Sequence, residues 1–189
     1  MRVRKKYIRS IVEQLLATND IRSAPVSVEK IAGALGVEIR KSPAEENLSG
    51  FILRDGKTGK ATIGVNSAQH RNRQRFTIGH ELGHYLLHAG HSLHVDENSM
   101  AGFKVSWRNA DSSEGTDIEE IEANLFAAEL LMPAAFLRED LKPYGTLDLL
   151  DEESLDEAFS ALAKKYRVSK QAITYRLGNL LGNLEYLHR

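Results

Sequence analysis

Two histidines four residues apart, His80 and His84, lie in a segment that predicts a helix from about Ala68 to His88. On an α-helix such residues are about 40° apart around the axis, with Cβ atoms roughly 6 Å apart. Both imidazoles can therefore reach one tetrahedral zinc ion. Glu81 is turned about 100° from His80, so its carboxylate can reach a water beside that ion. The chain is expected to fold around this helix.

The His-Glu-x-x-His spacing is typical of zinc metallopeptidases, in which the glutamate is the general base. The competing interpretation is an amphipathic helix with exposed polar residues. Gly79 and Gly83 argue against it, because each costs about 1 kcal/mol relative to alanine inside a helix. Their presence predicts that another helix or a substrate strand approaches this backbone closely.

A third metal ligand is needed, and it must offer nitrogen or oxygen because the chain has no cysteine. A metzincin would have glycine at position 87 and histidine at 90, but Leu87 and Gly90 stand there. His88 lies too far along the helix to join the pair and is expected to support a ligand or to pack. His91 and His94 are weaker ligand candidates.

The better candidate is Glu120, in a helix predicted from Thr116 to the Met132-Pro133 pair. Helical phase places Glu122 and Glu129 on a side that looks solvated. It places Glu120 with Asn124 on another side, where the neighbours are apolar: Ala127, Ala128 and Leu131. Buried polar groups need partners, and a zinc ion and a ligand histidine would supply them.

In this hypothesis Glu120 binds the metal, and Asn124 accepts a ring N–H from His80 or His84. Glu122 remains the alternative third ligand. The competing interpretation of Glu120 is a salt bridge to Arg73 or Arg75.

The remaining patterns predict an α+β fold. Helices are expected over 4–18 and over 28–35, the second capped by Ser27. Strands are expected over 37–40, 48–53 and 61–65, the last two forming a hairpin. The segment 89–115 has no clear periodicity. We expect a zincin-like metallopeptidase domain over residues 1–140, with an N-terminal helix, a small antiparallel or mixed sheet and an active-site helix, and a helical, helix-turn-helix-like extension over 141–189.

Composition narrows the location and the partners. The formal net charge is −1, which gives no overall attraction to nucleic acid or to membranes. The absence of cysteine suits the cytoplasm. No apolar run approaches the length of a membrane span. We therefore expect a cytoplasmic protein without a membrane partner.

The C-terminal segment 162–177 resembles a helix-turn-helix, with Ala172, Ile173 and Leu177 expected to be buried. Arg167 occupies the turn position where glycine is common. Four basic residues of this segment can contact phosphates: Lys164, Lys165, Lys170 and Arg176. Acidic residues between 148 and 157 oppose that approach. DNA binding is therefore less favoured than a packing or substrate-docking role.

Two longer motifs resemble the ImmA/IrrE family of metallopeptidases. They are Arg73-Gln-Arg-Phe-Thr-Ile-Gly-His-Glu-Leu-Gly-His-Tyr-Leu-Leu-His88 and Glu120-Ile-Glu-Ala-Asn-Leu-Phe-Ala-Ala-Glu-Leu-Leu-Met-Pro133. The segments 49–51 and 63–66 also fit that family, so the resemblance spans roughly residues 25–135. It implies that His80, His84 and Glu120 bind zinc and that Glu81 is catalytic. It also implies a substrate, because family members typically cleave a helix-turn-helix repressor encoded nearby.

Several roles stay open. Tyr85, His91, His94 and Tyr144 are candidates to stabilise the transition state beside zinc. The strand 61–65 is either a site at which an extended substrate adds to the sheet or simply a sheet edge.

Three classes of function therefore compete. They are a peptidase acting on a regulator, a DNA-binding regulator with a structural zinc site, and a catalytically silent binding module of the toxin–antitoxin type. The intact Glu81 favours the peptidase, because a structural site needs no general base.

Overall fold

The fold is that of a computed structural model, which describes residues 2–88, 93–97, 115–144 and 152–185. Within these ranges the chain forms seven α-helices and four strands. The helices are α1 (Lys5–Thr18), α2 (Val28–Ala34), α3 (Arg71–Leu87), α4 (Gly115–Leu131), α5 (Ala134–Leu141), α6 (Glu152–Tyr166) and α7 (Lys170–Glu185). The strands are β1 (Val37–Ser42), β2 (Leu48–Arg54), β3 (Ala61–Asn66) and β4 (Leu93–Glu97). A short 3₁₀ turn, Lys142–Tyr144, follows α5.

The strands form one mixed sheet in the order β1-β3-β2-β4. β1 pairs with β3 in parallel, whereas β2 is antiparallel to both β3 and β4. The α+β class and the β2–β3 hairpin are thus confirmed. The prediction that the strand 61–65 lies at an edge or pairs with a substrate is wrong, because β3 already has a partner on each side. β4, inside the segment without periodicity, was not predicted.

Helix α3 lies on the sheet at a place where a glycine removes side-chain bulk. A Cβ on Gly50 of β2 would stand 2.4 Å from the Thr77 side chain of α3, less than one turn before His80. Gly64 of β3 makes room on the opposite face, because a Cβ there would stand 2.3 Å from the ring of Phe51, its cross-strand partner. Gly50 therefore allows the middle of α3 to contact the sheet directly.

Helix α4 packs against the other side of α3. A Cβ on Gly83 would stand 2.9 Å from the Cα of Ala123, and one on Gly79 would stand 3.3 Å from the Cα of Ala127. The expectation that another element approaches these glycines closely is confirmed, and the element is a helix. This contact fixes how the ligand candidates on α3 face those on α4.

The two ends of the chain pack on the same core. α1 contributes the buried Ile8, Val12 and Leu16 and lies against α4. Ala172, Ile173 and Leu177 of α7 are buried, as expected, and belong to the same continuous apolar cluster. The turn between α6 and α7 places Arg167 at φ 54°, a left-handed conformation that favours glycine.

Candidate metal centre

Three side chains from two helices meet at one point. Nε2 of His84 lies 3.1 Å from Nε2 of His80 and 3.1 Å from Oε1 of Glu120. Oε2 of Glu120 lies 3.5 Å from Nε2 of His80. Both histidines are buried, whereas the Glu120 side chain is 40% exposed. The cluster thus opens to solvent on the side of α4.

These distances fit a metal ion. In a tetrahedral zinc site with bonds of 2.0–2.1 Å, neighbouring ligand atoms are about 3.3 Å apart. The three atoms lie within 4.8 Å of one another, as metal ligands do. The donor set is two imidazole nitrogens and one carboxylate oxygen, which suits zinc, and its three ligands leave a fourth position for water or substrate. The residues present therefore fit the ion.

His80 is oriented from behind by Asn124. Oδ1 of Asn124 lies 3.1 Å from Nδ1 of His80, and an amide oxygen can only accept a hydrogen bond. Nδ1 therefore carries the proton, and the lone pair of Nε2 points into the cluster. The contact that the sequence predicted for Asn124 is present, with His80 as its partner.

Glu81 sits beside this cluster on α3 and is fully buried. Its neighbours in sequence are the candidate ligand His80 and the buried Leu82, so the carboxylate is held within the packed part of the helix. Burial disfavours a charged carboxylate. A glutamate in such a place is suited to accepting and releasing a proton.

The expectation that Glu122 and Glu129 are solvated is wrong, because both are buried. Glu122 is 2% exposed and lies 2.5 Å from the Arg4 guanidinium. Burial by itself raises the pKa of Glu122. The hydrogen bonds from Arg4 and the positive charge of Arg4 lower it by more, so the pKa lies below its usual value. Since Glu122 is engaged by Arg4, and Glu120 faces the histidines, the geometry favours Glu120 over Glu122.

The alternative of a salt bridge from Glu120 to Arg73 or Arg75 stays a prediction. Arg73 donates to the Ser49 hydroxyl at 3.0 Å, and Arg75 donates to the Val26 carbonyl at 2.9 Å.

His88 ends α3 and is buried, with ring nitrogens 4.0 Å from Glu119 and 3.9 Å from Glu122. Burial lowers its pKa, and the nearby carboxylates offset only part of this effect. His88 thus lies beside Glu119 and Glu122, the two carboxylates nearest in sequence to the candidate ligand Glu120. This position is the one expected of a supporting or packing residue.

The candidates for transition-state stabilisation are scattered. Tyr85 is half-buried, and its ring lies 5.1 Å from the Arg54 guanidinium. Tyr144 lies in the 3₁₀ turn after α5. His91 lies outside the described residues, and for His94 only the β4 backbone is described.

Two arginines near the site were not predicted. Arg54 of β2 donates to three carbonyls at the end of α3, those of His84, Tyr85 and His88, at 2.7–3.0 Å. The His84 carbonyl also accepts the backbone N–H of His88 at 3.2 Å. Carbonyls at the end of a helix generally lack a full set of intrahelical partners, and a cation there also offsets the helix dipole. The second is Arg4, which contacts Glu122. Neither belongs to a recognisable motif, so the sequence offered no signal for them.

Two histidines and a glutamate on two packed helices are the kind of ligand set on which metallopeptidases are built. Residues 32–178 match the model of a peptidase family, described as the IrrE N-terminal-like domain. The chain belongs to this family. The match extends beyond the predicted span of resemblance into α7.

Individual relatives agree with this assignment. The chain is 30% identical over 152 residues to the radiation response metalloprotease IrrE of Deinococcus radiodurans. The aligned region covers 78% of this chain but only 38% of that relative's length. A solved structure described as a Mycobacterium tuberculosis transcriptional regulator matches with a TM-score of 0.57 and 14% identity, covering 92% of this chain and 46% of the other. That likeness concerns the fold alone.

Proposed function

We propose that this chain is a zinc-dependent endopeptidase that cleaves a helix-turn-helix transcriptional repressor and so relieves repression. The observation that carries the proposal is the convergence of His80, His84 and Glu120 within 4.8 Å, beside the buried Glu81. A site that only stabilises a fold needs ligands but not an adjacent general base. The presence of both a set of metal ligands and an adjacent general base favours a catalytic site over a structural one.

The proposed mechanism assigns one task to each residue. His80, His84 and Glu120 would hold zinc, which supplies Lewis acidity that activates water near neutral pH and polarises a peptide carbonyl. Glu81 accepts the proton of the attacking water and passes it to the leaving amine. Asn124 holds the His80 ring with Nε2 aimed at the cluster. Tyr85 remains the candidate that assists the developing oxyanion.

An extended substrate needs a strand edge on which to lie. Among the described strands, β1 and β4 form the two edges of the sheet. β2 is the only one of these strands with which β4 pairs. We propose that the substrate backbone pairs with β4, which follows the active-site helix in the chain. This replaces the strand 61–65, which is central.

The substrate class rests on the family. The name of the Deinococcus relative describes a metalloprotease of the radiation response, and the ImmA/IrrE resemblance implies a repressor as substrate. Enzyme and repressor would meet in the cytoplasm. None of the helices in the described ranges combines the length and apolarity needed to cross a bilayer.

The test is the substitution Glu81→Gln in a chain co-expressed with a candidate helix-turn-helix repressor. We expect zinc content and thermal stability to be retained, while cleavage falls by about 10²–10⁴-fold, the usual contribution of a general base. The matched control is Glu46→Gln, which changes an exposed glutamate of the β1–β2 loop. Unchanged cleavage by Glu81→Gln would remove Glu81 from the mechanism, and absence of zinc from the wild-type protein would remove the metal site.

The DNA-binding alternative is weakened by the surroundings of its basic residues. Arg176 is 5% exposed and pairs with Glu129 at 2.6 Å, so its expected contact with phosphates is wrong. Lys165 pairs with Asp140, and Lys170 with Asp156. A gel-shift assay of the full chain at low salt tests this alternative, and we expect no shift. A catalytically silent binding module would instead bind the repressor without cleaving it.

A further inference from the structure

Arg4, immediately before α1, makes an unusually dense set of contacts. Its backbone N–H donates to Oε1 of Glu122 at 2.8 Å. Nε of its guanidinium donates to both carboxylate oxygens at 3.0 and 3.1 Å, and one terminal nitrogen reaches Oε2 at 2.5 Å. That terminal nitrogen also donates to the Leu87 carbonyl at 3.3 Å. A two-pronged arginine–carboxylate pair of this kind restricts geometry more than a single contact does.

The two partners of Arg4 lie on the two helices that carry the candidate ligands. Leu87 is the last residue of α3, three residues after His84, and Glu122 lies on α4, two residues after Glu120. Residues two apart on a helix point in nearly opposite directions. Arg4 therefore holds α4 from one side while Glu120 faces the histidines from the other.

The buried carboxylate of Glu122 depends on Arg4 for compensation of its charge. Glu122 is 2% exposed, whereas the Arg4 side chain is 42% exposed. A buried carboxylate that loses its partner is strongly destabilised, so it would drive a local rearrangement of α4 to reach water. Arg4 also lies outside residues 32–178, the part matched by the family model. The contact is therefore supplied by a part of this chain that the family match does not include.

We propose that Arg4 is a positioning residue of the metal site, which ties the end of α3 to Glu122 and thereby holds Glu120 within reach of His80 and His84. This inference rests on the proposed metal site. Residues that orient metal ligands typically change metal affinity by about 10–100-fold when they are replaced.

The test measures the affinity of the full chain for Zn²⁺ alone, by competition with a chelating dye. We expect Arg4→Gln to raise the Kd by about 10-fold or more. Arg4→Lys should give an intermediate Kd, because lysine keeps the charge without the planar fork. The control is Arg9→Gln. Arg9 is similarly exposed, at 45%, and contacts the buried Glu129 further along α4. Its replacement should leave the Kd unchanged.

A second variant separates positioning from folding. In Arg4→Met/Glu122→Met both charges are absent, so no carboxylate is left buried without a partner. We expect this double variant to recover most of the thermal stability lost in Arg4→Gln while its Kd for Zn²⁺ stays raised. If either Arg4→Gln or the double variant binds Zn²⁺ within twofold of the wild type, Arg4 does not position the site. If the wild-type chain binds no Zn²⁺, it is the proposed function that fails.

Discussion

Replacing Gly83 with alanine should weaken zinc binding strongly while lowering the free energy of unfolding only slightly. A Cβ at this position would stand 2.9 Å from the Cα of Ala123 and 3.1 Å from its carbonyl oxygen. Both atoms belong to the α4 backbone, so no side chain can rotate away to make room. Carbon atoms in contact lie about 3.5–4.0 Å apart. The two helices must therefore separate by about 0.6 Å or more at this point.

The effect on stability follows from two opposing contributions. Alanine is favoured over glycine inside a helix by about 1 kcal/mol, whereas overpacking of a core costs about 1–3 kcal/mol. The free energy of unfolding should therefore fall by about 0–2 kcal/mol. The displacement matters more for zinc, because Gly83 adjoins His84, and Ala123 lies three residues from Glu120. Ligand distances tolerate only about 0.2 Å, so we expect zinc affinity to fall by at least about 10-fold.

The assay compares thermal unfolding of the metal-free protein with its Kd for Zn²⁺. Gly178→Ala is the matched control, because Gly178 lies inside α7 and a Cβ there meets nothing within 4 Å. The free energy of unfolding of Gly178→Ala should rise by up to about 1 kcal/mol, and its Kd for Zn²⁺ should equal that of the wild type. Gly79→Ala should be milder than Gly83→Ala, since its Cβ would stand 3.3 Å from Ala127. If Gly83→Ala gains as much stability as Gly178→Ala and keeps its zinc affinity, the close contact of α3 and α4 is not what holds the site.

Three further variants test other contacts. Arg176→Met leaves Glu129 buried without its closest partner, and it should lower the free energy of unfolding by about 3 kcal/mol in chemical denaturation. Asn124→Ala frees the His80 ring and should weaken zinc binding by about 10–100-fold in the dye competition. Burial and the hydrogen bond to Asp140 raise the pKa of Tyr166. The contribution of the neutral phenol to stability is therefore fully present below about pH 10, the usual pKa of tyrosine, and declines progressively as the pH rises above it. Tyr166→Phe should accordingly show a shallower loss of stability between pH 10 and 11.

Local spacing was sufficient to predict the features that depend on one helix at a time. His80 and His84 are brought together by the helical repeat alone, and Asn124 follows Glu120 by one turn for the same reason. The close approach to Gly79 and Gly83 was also predictable, because glycine inside a helix is costly unless space requires it. The roles of these residues in binding and catalysis remain predictions.

Strand order could not be obtained in this way. The turn-rich segment before β3 correctly indicated a hairpin with β2, but a hairpin does not determine which other strands flank its two members. β1, however, skips β2 and pairs with β3 in parallel, while β4 adds to the other side of β2. These pairings join residues distant in sequence, and no local pattern encodes them.

The error at Glu122 and Glu129 has a physical cause in the position of α4. The helical periodicity of the sequence predicts that these acidic residues face solvent. This prediction is valid for a helix that buries only one face. α4 instead packs against α3 on one side and α1 on another, and α7 reaches it near its end. Almost every face is buried, so each glutamate requires its own partner.

The buried glutamates Glu122 and Glu129 have different partners from those of Glu120. Glu122 is engaged by Arg4, and Glu129 by Arg176, so two buried charges of α4 are neutralised by the two ends of the chain. Glu120, half-exposed, instead faces two imidazole nitrogens. A divalent cation among these three side chains would balance the charge of Glu120. Glu122 and Glu129 are each paired with an arginine, whereas Glu120 is the carboxylate of α4 that we propose as the metal ligand.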